Sequence, residues 1–216
     1  MIKHETPWVH YTWANFFTFD EQAYLYDCCM RTLDVEKFES GELFLLNGHY
    51  QNQTGVDLRD DGPDITLGSG HAVRATLDIK IKEQLNMISS TLGYTDNRRE
   101  WSYSFTITKD LPDQPLLPHT DDYEELKIYN AGIIKVLGYL GNPDLDYSDW
   151  GTKLYESSDT NTLAKEIPYV PGDAFIFTPN NTTWHGTDFK NNLNGYRFML
   201  GAELVWKDEF WRNRGN

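Results

Sequence analysis

The chain has 216 residues, of which 39% are hydrophobic, 14% aromatic and 24% charged, so it has enough apolar mass to fold and is not intrinsically disordered. Its 33 acidic and 19 basic residues give a net charge of −14, which disfavours nucleic acid and anionic lipid as partners. No apolar run reaches the roughly 20 residues that span a bilayer, and no secretory signal is visible, so we expect a cytoplasmic protein without a membrane partner.

The first hundred residues predict two helices and a loop. Residues 20–33 place apolar side chains close to helical spacing, with Thr18 or Asp20 as the N-cap. A second helix is predicted between Ser69 as its cap and Gly93 at its end, on a stripe formed by Val73, Leu77, Ile81, Leu85 and Ile88. Residues 47–70 are polar and rich in Gly and Asp, which predicts a long loop over one mouth of the core.

From Trp101 onward the pattern changes to that of short strands. Apolar and polar residues alternate over residues 101–108, which predicts a half-buried strand. Further strand-like runs cover residues 131–140, 152–156, 167–170, 174–178 and 196–205, with Gly, Pro and Asn turns between them. The predicted fold is therefore mainly β with flanking N-terminal helices, and the many short strands favour a sandwich or jelly roll.

Three features of this β region carry chemistry. His119 and Asp121 are two residues apart, so in a strand both point to the same side, and His185 follows 64 residues after Asp121. Two histidines and one carboxylate are the ligand set of non-haem Fe(II) oxygenases, which leave coordination positions open for reactants. Arg197, twelve residues past His185, has a guanidinium group suited to bidentate binding of a carboxylate. Taken alone, each of these histidines is more often a hydrogen-bonded side chain without a metal, and an arginine such as Arg197 more often forms an ion pair at the surface.

In order and spacing, residues 101–206 resemble the Fe(II)- and 2-oxoglutarate-dependent dioxygenases of the prolyl-hydroxylase-like branch. Beyond the residues above, the resemblance rests on residues 139–142 (YLGN), 149–155 (DWGTKLY), 170–177 (VPGDAFIF) and 195–197 (GYR). Thr152 departs from the family pattern, because it stands at the second glycine of the family's Trp-Gly-Gly-x-Leu stretch. The loop from His185 to Gly195 is longer than in many members, which predicts an outward shift of Arg197.

The resemblance implies a double-stranded β-helix, a jelly-roll fold related to the cupins. It makes residues 1–216 a single dioxygenase domain, with a helical buttress and lid region over residues 1–100 and the catalytic core over 101–206.

The family's site residues map onto five positions of this chain. His119, Asp121 and His185 match the iron ligands, and Arg197 matches the residue that binds the C5 carboxylate of 2-oxoglutarate. Tyr103 stands where the family often places a tyrosine facing the co-substrate, although an inward core aromatic is an equal alternative.

The implied activity is hydroxylation of an unactivated C–H bond with Fe(II), O2 and 2-oxoglutarate, which is decarboxylated to succinate and CO2. Ascorbate is an optional reductant. The branch favours a peptidyl residue such as proline, and Trp150 and Trp184 either line a groove for such a peptide or belong to the core. Two alternatives stay open, a hydroxylase of free amino acids or other small molecules and a non-catalytic metal-binding jelly-roll module. The oligomeric state stays open as well.

Overall fold

The computed structural model describes residues 1–32, 44–45, 84, 87–88, 91, 100–110, 116–121, 133–187 and 197–207, of which 28, 31–32, 44–45, 100–110 and 203–207 are described by their backbone alone. The helix α1 spans Phe19–Thr32. The strands in these ranges are β1 (Ile2–His4), β2 (His10–Trp13), β3 (Phe44–Leu45), β4 (Glu100–Asp110), β5 (Leu116–His119), β6 (Ile133–Leu140), β7 (Thr152–Tyr155), β8 (Leu163–Ile167), β9 (Ala174–Phe177), β10 (His185–Thr187) and β11 (Arg197–Lys207).

The strands form two antiparallel sheets that pack on each other. The larger sheet has the order β1-β2-β9-β6-β11-β4-β3, and the smaller sheet has the order β5-β10-β7-β8. One buried cluster joins them, because it contains Leu137 and Phe175 from the larger sheet and Leu154 and Ile167 from the smaller one. The mainly β class predicted from the sequence is confirmed as a β-sandwich of antiparallel sheets.

Helix α1 packs against β6 on the larger sheet. The Thr18 hydroxyl accepts a hydrogen bond from the Glu21 amide (3.2 Å), and the Glu21 carboxylate accepts one from the Thr18 amide (2.8 Å). This reciprocal pair is a capping box, so the predicted N-cap Thr18 is confirmed. No helix in the described ranges is long and apolar enough to cross a membrane.

The second predicted helix is described at four residues only. Positions 84, 87, 88 and 91 are helical, and Ile88 on the predicted apolar stripe is buried while Met87 beside it is exposed. The remainder of this helix, with Ser69 and Gly93, and the predicted loop over residues 47–70 lie outside the described residues.

One predicted strand is wrong in position. The sequence predicts a strand over residues 167–170, but β8 runs over Leu163–Ile167 and pairs with β7 from Thr152↔Ile167 to Tyr155↔Leu163. Pro168 ends the strand because it has no N–H to donate to a neighbouring strand. The short strands β1, β2 and β10 were not predicted, because none of them contains an apolar run such as the four residues AFIF of β9.

Candidate metal centre

The smaller sheet brings the three predicted ligands together. His119 ends β5 and His185 begins β10, and these two residues are register partners across the antiparallel pair. Their ring centroids are 4.4 Å apart, and Asp121 follows β5 by two residues. His185 Nε2 lies 3.2 Å from Asp121 Oδ2, and His119 Nε2 lies 3.7 Å from Asp121 Oδ1. One candidate ligand atom from each residue lies within 4.8 Å of the other two.

Backbone carbonyl groups fix the orientation of both imidazole rings. His119 Nδ1 is 2.9 Å from the Leu117 carbonyl oxygen, and His185 Nδ1 is 2.9 Å from the Thr183 carbonyl oxygen. A carbonyl oxygen only accepts hydrogen bonds, so each Nδ1 must carry the proton. In the neutral rings, each Nε2 then presents a lone pair toward Asp121, as it does in a metal-ligating histidine.

The electrostatics keep Asp121 and His119 in the protonation states that bind metal. Burial lowers the pKa of His119 below its usual value, and the neighbouring His185 and the Lys135 ammonium lower it further, against the opposing effects of the Leu117 carbonyl and the Asp121 carboxylate. Burial raises the pKa of Asp121, but the ammonium of Lys135 and the contact with His185 outweigh burial and hold that pKa well below its usual range. At neutral pH the site therefore offers a neutral His119 ring and an ionised carboxylate.

Lys135 was missed by the analysis of the sequence. It lies on β6 in the larger sheet, and its Nζ is 2.8 Å from Asp121 Oδ2 on the other side of the sandwich. A signal was available, since Lys135 is the one charged residue in the otherwise apolar strand IIKVLGYL. A lone lysine in such a strand indicates a buried partner of opposite charge.

Gly186 allows β5 and β10 to approach each other next to the histidines. A Cβ atom at this position would collide with the backbone carbonyl of Leu116 on β5. On the other side, the Phe177 ring meets the His185 ring edge-on at 5.0 Å. His185 is thus enclosed, whereas the His119 side chain is 33% exposed, so the centre opens to solvent on the His119 side.

Arg197 is completely buried at the start of β11, so the predicted outward shift is wrong. Pairing of β11 with β4 and β6 fixes its position, with Arg197 opposite Asp110 and the next residue, Phe198, opposite Leu140. The guanidinium carbon lies 4.7 Å from the Tyr169 ring centroid and 5.8 Å from that of Tyr139. Aromatic faces attract a desolvated cation, which favours this interior position.

Thr152, which stands where the family pattern has a glycine, makes a buried hydrogen bond next to Arg197. The Thr152 hydroxyl is 2.9 Å from the Tyr139 hydroxyl in a buried hydrogen bond, so the side chain absent from a glycine holds the tyrosine beside Arg197. Tyr139 lies four residues beyond Lys135 on β6, a distance of roughly 13 Å along the strand. The arginine–tyrosine cluster therefore lies roughly 13 Å along β6 from the lysine whose ammonium contacts Asp121.

The other predicted site residues are placed less fully. Tyr103 lies on β4 opposite Leu204, and because its side chain is outside the described part, a contact with the co-substrate stays a prediction. Trp150 is buried in the hydrophobic cluster, which confirms the core interpretation for that residue, and Trp184 is partly buried.

The fold is similar to that of two solved prolyl hydroxylases. One, from Trichoplax adhaerens in complex with a hypoxia inducible factor oxygen degradation domain peptide fragment, superposes with a TM-score of 0.57 at 14% identity, over 96% of this chain and 87% of that one. The prolyl-4-hydroxylase of Pseudomonas putida gives a TM-score of 0.54 at 15% identity, over 90% of this chain and 91% of that one. No protein-family model and no curated protein matches the sequence. At such identities the likeness establishes the fold alone.

Proposed function

We propose that this protein is an Fe(II)- and 2-oxoglutarate-dependent dioxygenase that hydroxylates an unactivated C–H bond. The observation that carries the proposal is the convergence of two imidazole Nε2 atoms and one carboxylate, all hydrogen-bond acceptors when each neutral ring carries its proton on Nδ1. Acceptors that face each other at 3.2 Å repel unless a cation or a proton lies between them. We place the centre in a double-stranded β-helix, within a single domain over residues 1–216.

The donor set fits iron and does not suit the hard cations calcium and magnesium. Two nitrogen ligands and one oxygen ligand on one side of the ion are the pattern of non-haem Fe(II) oxygenases, whereas calcium and magnesium prefer oxygen alone. His119, Asp121 and His185 would hold the metal, which together with 2-oxoglutarate supplies the oxidising chemistry when bound. The solvent-facing side next to His119 leaves room for reactants.

Arg197 and Tyr139 suit the far end of the co-substrate. A buried guanidinium provides a fixed positive charge for a carboxylate, and the Tyr139 hydroxyl, held by Thr152, provides a second polar group near it. Because both side chains are packed against the Tyr169 ring, a carboxylate there would be oriented without further ordering of the protein. This arrangement supports a dicarboxylic co-substrate bound between the sheets.

For the substrate we propose a peptidyl residue such as proline. The similar Trichoplax enzyme was solved with a peptide fragment, which supports a peptide substrate for this fold. Leu116 and Leu117, which are 44% and 65% exposed, lie on β5 just before Pro118 and His119, so a chain that enters on that side would meet an apolar surface.

The test is 2-oxoglutarate-dependent formation of succinate under air, with Fe(II), and with ascorbate as an optional addition. We expect succinate from the wild type, stimulated by proline-rich peptides more than by free amino acids, and none from His119→Ala or Asp121→Ala. His4→Ala is a matched control, because His4 lies on β1 outside the three-residue cluster. Wild-type turnover in both ligand variants would refute the assignment. Stimulation by free amino acids alone would favour the small-molecule alternative.

A further inference from the structure

A lysine ammonium group contacts the carboxylate of the candidate metal centre. Lys135 Nζ lies 2.8 Å from Asp121 Oδ2, which is closer to that oxygen than His185 Nε2 at 3.2 Å. Both partners are largely buried, with side-chain exposures of 16% and 13%. Lys135 comes from the larger sheet and Asp121 follows a strand of the smaller one, so the ion pair bridges the interior of the sandwich.

The total charge of the buried groups at this position would rise by two when a divalent metal binds. Asp121 is the one acidic residue among the three candidate ligands, and its charge and that of Lys135 add to zero. A divalent cation raises this sum to +2, and because the groups are largely dry, the repulsion between metal and ammonium is poorly screened. A dianion that arrives with the metal restores neutrality.

We propose that Lys135 makes divalent-metal binding at the candidate centre depend on an accompanying dicarboxylate. The inference rests on the proposed function, since it requires the three residues to bind a metal. Because linkage is reciprocal, the dicarboxylate tightens metal binding by the same factor as the metal tightens dicarboxylate binding, and Lys135 increases that factor.

The test uses Mn(II), whose free ion is measured by electron paramagnetic resonance, with and without 2-oxoglutarate. We expect Lys135→Met and Lys135→Gln to bind Mn(II) about tenfold more tightly than the wild type without 2-oxoglutarate, because a competing cation has been removed. The gain in Mn(II) affinity on adding 2-oxoglutarate falls about tenfold in the same variants. Lys135→Arg retains the charge and keeps the wild-type coupling.

Lys165→Met is the matched control. Lys165 is also a partly buried lysine on a strand, but its Nζ lies 3.2 Å from His4 Nδ1 and 3.3 Å from His10 Nε2, both outside the three-residue cluster. We expect its Mn(II) affinity and its coupling to 2-oxoglutarate to equal those of the wild type.

The direction in which Mn(II) affinity changes when Lys135 is replaced distinguishes the possible outcomes. A purely structural lysine would weaken Mn(II) binding when replaced, so equal or weaker binding in the neutral variants overturns this inference and leaves the proposed centre intact. No Mn(II) binding by the wild type or by any variant overturns the centre and the inference together. Far-UV circular dichroism establishes that each variant is folded, and the glutamine variant serves where the methionine variant does not fold.

Discussion

We expect protonation of the buried His10 side chain to destabilise the fold as the pH falls. His10 is fully buried, its Nδ1 donates to the Trp8 carbonyl at 2.8 Å, and its Nε2 is 3.3 Å from Lys165 Nζ. Burial lowers the pKa of His10 to about 4, with smaller contributions from the charges of Lys165 and His4, against the opposing effect of the backbone hydrogen bond.

The size of the effect follows from the two pKa values. An unfolded histidine titrates near 6.5, so below that pH the unfolded chain binds a proton that the folded protein excludes until about pH 4. The stability from a neutral His10 is therefore complete above pH 6.5 and is lost as the pH falls toward 4. The full loss is about 3 kcal/mol, of which about 2 kcal/mol is lost by pH 5.

Urea unfolding at pH 7.5 and pH 5 measures this loss. Other groups titrate in the same range, so the relevant quantity is the difference between the wild type and His10→Asn, which retains a donor for the Trp8 carbonyl but does not titrate. We expect the wild type to lose about 2 kcal/mol more than the variant between these pH values. Equal losses in the two proteins would refute the assignment of a buried, neutral His10.

Three further substitutions test other contacts. In Gly186→Ala the new methyl group collides with the Leu116 carbonyl and should separate β10 from β5. We therefore expect Mn(II) affinity to fall by about tenfold or more in an equilibrium titration. Unchanged affinity would contradict the close packing of the two strands. Thr152→Val removes the buried hydrogen bond to Tyr139. We expect the free energy of unfolding, measured with urea, to fall by about 1–3 kcal/mol, and 2-oxoglutarate binding, measured by calorimetry, to weaken. No change in either quantity would argue against that contact. Asp121→Asn keeps the side-chain shape but removes its charge, and we expect Mn(II) binding to weaken by about a hundredfold or more, so retained affinity would exclude this carboxylate as a ligand.

His119 and Asp121 could be predicted as a pair from their two-residue spacing, and His185 from its place in the ordered resemblance to the dioxygenases. In the structure His119 ends β5, Asp121 follows it by two residues, and His185 lies beside them. The strands β4, β6, β9 and β11 were predicted because each contains an apolar run or an alternating pattern.

The features that could not be predicted depend on contacts between distant segments. The role of Lys135 depends on which face of β6 meets the smaller sheet, and the alternation of a buried strand does not reveal that face. The depth of Arg197 depends on the register of β11 against β4 and β6, which loop length does not fix. Likewise β2 exists because His10–Trp13 pairs with β9 more than 160 residues later.

The most direct test of the proposed dioxygenase is an anaerobic titration of the protein with Fe(II) and 2-oxoglutarate, followed by visible absorption. We expect a weak metal-to-ligand charge-transfer band in the wild type that is absent from His185→Ala, because the keto acid chelates a metal held by the three residues. Fe(II) binding without this band would contradict the proposed co-substrate site and would favour a non-catalytic metal-binding module.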